Sequence, residues 1–281
     1  MRGRVPAMIV ASTCTASVLL AWIGAAAVAL VVLRFGVNAS MAVVMAALIP
    51  GGIWAYLGEP GPLTTIVAIV VLAEILRLTR AWSLVLVALP LVVAAWCLSL
   101  LYLAPDYVAQ LVMQLQHVAE QLFARLNEQR TAASQTPLSM AELPGEQQLL
   151  GMFGLMQTMT CLLSLLFARW WQAALYNPGG FREEFHQLRL GRVQVVILVA
   201  GLVLLSYSEA FRVWSWLFAV PLCVAGIALA HGLAGIHTIA RQWLVVFYIA
   251  LVFFAPIVPL LMMLAIADSA LDFRNRWRPD S

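Results

Sequence analysis

From Met8 to Leu33 the chain carries no charged side chain. About 20 apolar residues in an α-helix cover the ~30 Å hydrocarbon core of a bilayer, and comparable runs recur to the end of the sequence. That repetition leaves few folds open. Hydrophobic residues make up 63% of the 281 and charged residues 10%, against about 45–50% and about 25% in an ordinary soluble domain. So few charges cannot cover a surface in water, which excludes a soluble enzyme, a disordered chain and a secreted disulfide scaffold. The apolar runs are continuous and do not alternate with polar residues, which excludes an outer-membrane barrel. The expectation is an all-α, multi-pass helical bundle of the inner membrane. It forms one integral-membrane domain over 1–281, with the lipid bilayer as its surroundings.

Eight segments qualify as spans: 8–33, 37–57, 62–76, 81–104, 149–168, 193–207, 213–240 and 242–267. The first follows Met1-Arg2-Gly3-Arg4 and resembles a signal peptide, but its apolar run is too long; it reads as an uncleaved helix. Ala11, Ala16 and Gly24 offer it a small-residue surface for close packing. Pro50-Gly51-Gly52 interrupts the second segment, Pro90 lies in the fourth, and Pro256 and Pro259 predict a kink in the eighth. Trp82, Trp170, Trp171, Trp214 and Trp243 fall near segment ends, where the amphipathic indole prefers to sit.

Between the fourth and fifth segments, 105–148 is polar. Val108, Leu111, Val112, Leu115, Val118, Leu122 and Leu126 recur at helical spacing. Gln110, Gln114, His117, Glu120, Gln121 and Arg125 fill the opposite face, and Pro105 suits a first helical turn. A membrane-surface helix carries a Lys/Arg-rich polar face; this one has glutamines and mixed charge. It is therefore expected to pack against protein, burying Leu111, Leu115, Val118 and Leu122. The stretch 131–145, with Pro137 and Pro144, reads as a linker.

The 16 basic residues are all arginine and the net charge is +3, which reflects membrane loops and not a nucleic-acid surface. Eight full crossings would divide those 16 arginines equally between the two sides, so the positive-inside rule returns a tie. The tie predicts that one segment is re-entrant or one basic loop is external. The sixth segment, being short, is the natural exception, and both termini are expected inside.

An ionisable or strongly polar group at membrane depth is costly and so marks a candidate site. Glu74 and Arg77, three residues apart, are placed to pair on one helix face; Glu209 and Arg212 repeat the pattern in a turn. His231 is the deepest ionisable group. It sits among Gly226, Ala230, Gly232, Ala234 and Gly235, where another backbone can approach and offer a hydrogen bond. Gln157, Thr158, Thr160 and Ser164 give the fifth segment a polar face. The cysteines, Cys14, Cys97, Cys161 and Cys223, are dispersed and read as small buried hydrophobes, with no clustered metal ligands. No nucleophile, zinc or nucleotide motif is present, so neither enzyme activity nor a cofactor is expected. Asp268 and Asp272, beside Arg274, read as a solvated helix end with a salt bridge.

Three stretches carry a resemblance: Ala174-Leu-Tyr-Asn177-Pro178-Gly179-Gly-Phe-Arg182, Gly232-Leu-Ala-Gly-Ile-His237, and Ala267-Asp268-Ser-Ala-Leu-Asp272-Phe-Arg274. With eight apolar segments, they resemble the YybS-like family of bacterial polytopic membrane proteins. That family is distantly similar to the substrate-binding subunits of energy-coupling-factor transporters. The resemblance implies a small-molecule-binding or transport-related subunit and brings no catalytic residue with it. No inverted repeat is visible, which argues against a complete secondary transporter. The candidate binding residues are His231, Gln157, Thr160, Glu74 and Arg77. The alternative is a scaffold or regulatory protein that binds another membrane protein through 105–148.

Overall fold

The computed structural model describes residues 4–103, 105–136, 144–236 and 241–276. Among these, all regular structure is helical. The helices are α1 (Arg4–Thr15), α2 (Ala21–Phe35), α3 (Val37–Tyr56), α4 (Gly61–Thr79), α5 (Trp82–Leu103), α6 (Pro105–Ala132), α7 (Glu146–Tyr176), α8 (Gly180–Gln187), α9 (Arg192–Ser206), α10 (Arg212–Ile236), α11 (Arg241–Phe253), α12 (Ile257–Leu271) and α13 (Phe273–Arg276), with one 3-10 turn at Val18–Leu20. Six are long and apolar enough to cross a membrane, or up to eight spans result if each of two bent pairs counts as one. His237 and residues 137–143 of the linker lie outside the described residues.

Helix directions follow from which residues meet. Thr65 of α4 bonds Gln157 of α7, and further along, Arg77 and Arg169 line one basin; α4 and α7 therefore run parallel. Ser164 reaches the Trp22 carbonyl and Arg34 reaches Tyr176, so α2 runs with them. Helix α10 joins this set, because its start meets the start of α7 through Trp214 Nε1 on the Gln147 carbonyl at 2.7 Å. Helices α3, α5 and α9 run the other way. The core between them holds Ile66, Ile69, Leu72, Leu86, Leu165, Leu198 and Leu217, all fully buried.

The first apolar segment is not one helix. It breaks at Ser17, whose backbone is extended (φ −112°, ψ 123°), and α1 folds back along α2. The cause is the run Ser12-Thr13-Cys14-Thr15-Ala16-Ser17. Thr13 and Thr15 bond the carbonyls four residues back, Ile9 at 2.6 Å and Ala11 at 2.7 Å, a pattern that bends helices. Gly24 permits the fold-back: a Cβ there would lie 2.4 Å from Thr15 Oγ1 and 3.1 Å from the Ala11 carbonyl. Trp54 Nε1 caps the break on the Ala16 carbonyl at 3.0 Å.

The last segment is also two helices, bent by 118°. Pro256 cannot donate the bond that would continue α11 and becomes the residue before α12; Pro259 sits in the first turn of α12, where an N–H has no helical partner anyway. The bend goes well beyond a kink. Helix α12 lies parallel to α10, touching so closely that a Cβ on Gly226 would come 2.4 Å from the Leu261 carbonyl. The chain thus enters at the end where α10 finishes and returns to that end.

Two other expectations change. Pro50-Gly51-Gly52 does not interrupt α3, which runs unbroken from Val37 to Tyr56; Gly51 instead lets α4 approach, with Leu63 Cα 3.3 Å from where a Cβ would stand. Helix α6 exists, but only its first two turns pack: Val108, Leu111 and Val112 are buried, Leu115 is half-buried, and Val118 and Leu122 are 60% and 57% exposed. Beyond Leu115 the helix has left the bundle, and no helix among the described residues covers its apolar face.

The sixth segment, α9, is bent by 72° from α8. It runs antiparallel to α10, with Gly201 seating the Phe218 ring. One end of the bundle therefore gathers Arg34, Arg77, Arg80, Arg169, Arg182, Arg189, Arg192 and Arg274. The other end holds Arg125, Arg130 and Arg212. The equal division expected for eight full crossings disappears, because both the first and the last segment double back.

Candidate functional site

A groove of about 1240 Å³ runs along α7. Its walls are apolar and aromatic: Trp22 from α2, Pro62 from α4, Met156, Leu163, Phe167 and Trp170 from α7, and Phe181 and Phe185 from α8. Trp22 and Trp170 both pack on Phe167, with ring centres 5.5 and 5.6 Å apart. This spacing follows from α7 itself, since Met156, Leu163, Phe167 and Trp170 recur at helical intervals.

Polar groups stand only at the two ends. At one end the Thr65 hydroxyl lies 2.7 Å from Gln157 Oε1 and 2.8 Å from the Gly61 carbonyl, and Thr160 bonds back to the Met156 carbonyl. At the other end Arg182, His186, His231 and Tyr248 converge. His231 Nε2 is 2.8 Å from Tyr248 Oη, and its ring meets those of Phe185 and His186 at 5.7 and 6.1 Å. Helix α8 brings Arg182 and His186 there on successive turns, outside the apolar spans. Burial, then the charge of Arg182 and the neighbouring His231 and Arg274, hold the His186 imidazole below its ordinary pKa. It is therefore neutral at pH 7, while Arg182 has no carboxylate partner among the described residues.

Of the residues singled out from sequence, His231, Gln157, Thr160 and Arg182 thus line one groove. Glu74 and Arg77 do not. They pair at 2.7 Å, Glu74 also accepts the Val37 N–H at 3.2 Å, and Arg77 lines a separate basin. Asn177, Pro178 and Gly179 form the turn from α7 to α8. Asn177 leaves the helix ahead of Pro178, as the residue before proline must, and Gly179 takes φ +92°. Sequence reasoning missed His186 and Tyr248; His186 follows Phe185 in a polar helix, and only the fold brings it to His231.

The salt bridge expected among Asp268, Asp272 and Arg274 is present, but Asp268 and Arg274 are not at a solvated helix end; only Asp272 is part-exposed. Arg274 and Asp268 are 8% and 3% exposed and pair at 2.6 Å. Asp268 Oδ1 accepts the Phe273 N–H, and Arg274 donates to the Leu188 carbonyl at 2.9 Å. Arg189 adds bonds to the Asp268 and Ser269 carbonyls and an ion pair with Asp272 at 2.7 Å. Gly232 makes room: a Cβ there would lie 2.6 Å from the His186 carbonyl and 2.8 Å from Arg274 Nε. This lock ties the returning α12 to α8, α9 and α10 and so holds one end of the groove. Among the described residues no three His, Cys, Asp or Glu side chains converge as a metal ion would need. Comparison with known protein families, curated proteins and solved structures finds no match.

Proposed function

We propose that this chain is a membrane-embedded, transport-related binding protein whose groove takes an elongated apolar small molecule with an anionic head. The observation that carries this is the groove's polarity: an apolar wall about 1240 Å³ in extent, closed at one end by Arg182, His186, His231 and Tyr248. Concave, mostly apolar sites with a few convergent polar groups are the usual form of small-molecule sites. An unpaired guanidinium beside two imidazoles and a phenol supplies donors for a carboxylate or phosphate. The proposal extends to kinship with the YybS-like family, on the residues that carry that resemblance. It also sets the basic end toward the cytoplasm of a bacterial inner membrane, following the arginine bias, with α1–α2 and α11–α12 as hairpins that both open on that side.

The test uses the protein in lipid nanodiscs with dodecanoate and dodecanol as probes. Dodecanoate is expected to raise the melting temperature more than dodecanol, and Arg182→Gln to abolish the difference. Equal responses to the two probes in the wild-type protein would refute the reading.

A second reading is favoured by α6, whose Val118, Leu122 and Leu126 remain exposed. Under it the protein is a scaffold that binds another membrane protein through this helix. Stoichiometric co-purification of a partner that Leu122→Glu abolishes would support it.

A further inference from the structure

The basic end holds a second cavity, about 410 Å³, separate from the groove. Arg34, Arg77, Arg80, Arg169, Gln172 and Glu184 line it. Helices α7 and α8 stand between the two cavities: Arg169 and Glu184 face the basin, whereas Trp170 and Phe185 face the groove.

Its charges do not balance. Glu74 takes two bonds from Arg77 and Glu184 takes two from Arg169. Among the described residues Arg34 has only the Tyr176 hydroxyl and the rings of Tyr176 and Phe35, 4.2 and 4.9 Å away. Arg80 has no ion-pair partner among the described residues. Cations near helix C-termini offset the partial negative charge there, and α2 and α4 both end at this basin. That need is met by one guanidinium per helix, and four surround this single cavity.

The backbone is shaped to keep them there. Gly36, at φ +80°, leaves room for the Arg77 guanidinium, whose Cζ lies 2.9 Å from where a Cβ would stand. Arg80 ends α4 in the left-handed conformation, φ 53°. Glycine ordinarily takes that position, and a bulky residue seldom does.

We propose that this basin binds a phosphate-bearing anion. Guanidinium groups match phosphate oxygens bidentately, Arg34 and Arg80 supply the uncompensated charge, and Gln172 adds an amide donor. The phosphate comes either from an anionic lipid headgroup at the membrane surface or from a free phosphorylated solute; the chemistry of recognition is the same. The proposal does not depend on the groove.

The test uses the full chain, with inorganic phosphate at constant ionic strength and nanodiscs of phosphatidylglycerol in phosphatidylcholine as probes. The variants are Arg80→Gly and Arg34→Gln. The first keeps the fold, because glycine accepts the backbone already present. Each is expected to weaken binding about tenfold, equivalent to ~1.4 kcal/mol; Arg212→Gln, at the opposite end, leaves it unchanged. A saturable phosphate-induced rise in melting temperature that the variants lose identifies a free solute. Retention of phosphatidylglycerol through native mass spectrometry, lost in the variants without a phosphate response, identifies a lipid. Failure of both probes, or responses in Arg80→Gly equal to wild type, overturns the proposal.

Discussion

Arg274→Met is expected to destabilise the folded protein by about 3–5 kcal/mol, the range for breaking a buried ion pair from one side. The magnitude follows from what stays behind. Asp268, 3% exposed, keeps the Phe273 N–H at 3.0 Å and loses the guanidinium at 2.6 Å. The Leu188 carbonyl loses its donor as well. Methionine is flexible enough to fill much of the arginine stem's space, so the loss reflects an uncompensated charge more than a void. Asp268→Asn combined with Arg274→Met removes that charge and is expected to recover much of the loss, appearing as a favourable coupling in a double-mutant cycle. The comparison is Asp272→Asn. Its partner Arg189 is 32% exposed and Asp272 29%, so solvent screens the pair and the loss is about 0–1 kcal/mol. Denaturant unfolding in mixed micelles, followed by tryptophan fluorescence, measures wild type, Arg274→Met, Asp268→Asn, the double variant and Asp272→Asn. If Arg274→Met lies within about 1 kcal/mol of wild type, or matches Asp272→Asn, the buried-lock reasoning is refuted.

Gly226→Ala is expected to destabilise by about 1–3 kcal/mol through overpacking, because its Cβ would meet the Leu261 carbonyl at 2.4 Å; an unchanged melting curve would show that α12 stands off α10. A cysteine placed at Leu122 is expected to react rapidly with a hydrophilic maleimide and one at Leu111 slowly, since Leu122 is 57% and Leu111 7% exposed; equal rates count against the described packing of α6. His186, held below its ordinary pKa, binds protons less readily folded than unfolded. Its contribution is full above about pH 6.5 and is lost as pH falls toward the folded pKa. The melting temperature is expected to drop between pH 7.5 and 5.5, less so in His186→Gln; an equal drop in both would remove His186 as the cause.

The helices were legible because hydrocarbon thickness imposes a length and leaves little freedom in composition. Their reversals were not, because the signals are weak against an apolar background. Hydroxyl-bearing side chains are tolerated inside a span, so Ser12 to Ser17 did not stand out as a break, yet Thr13 and Thr15 turn their hydroxyls onto the chain and the helix ends there. Pro50 and Pro256 look alike in sequence. Pro50 stays within a helix because α4 packs against the adjacent Gly51, whereas around Pro256, Phe253, Phe254 and Ala255 are exposed and nothing in the bundle holds α11 straight. Position within the bundle decides what a proline does, and a single sequence does not contain it. The exposed outer half of α6 was unreadable for a related reason: periodicity announces an apolar face but not whether a neighbour covers it.

The reversal at Pro256 also helps to hold the polar end of the groove. Were the last segment a straight span, α12 would leave that end, and Asp268 and Arg274 would not meet Leu188. On α10, Gly232 seats the His186 carbonyl and Arg274 Nε, 2.6 and 2.8 Å from where a Cβ would stand, and Gly235 seats His186 Nδ1 at 2.8 Å. Helix α8 thus packs directly on α10, the returning arm adds the Arg274 bond to the Leu188 carbonyl at its end, and α8 carries Arg182 and His186 to His231. Tyr248, on the outgoing arm α11 ahead of the bend, lies 2.8 Å from His231. The residues that give the groove its head-group chemistry come from three places in the sequence, α8, α10 and α11, and the Asp268–Arg274 lock on the returning arm holds the end of α8 among them.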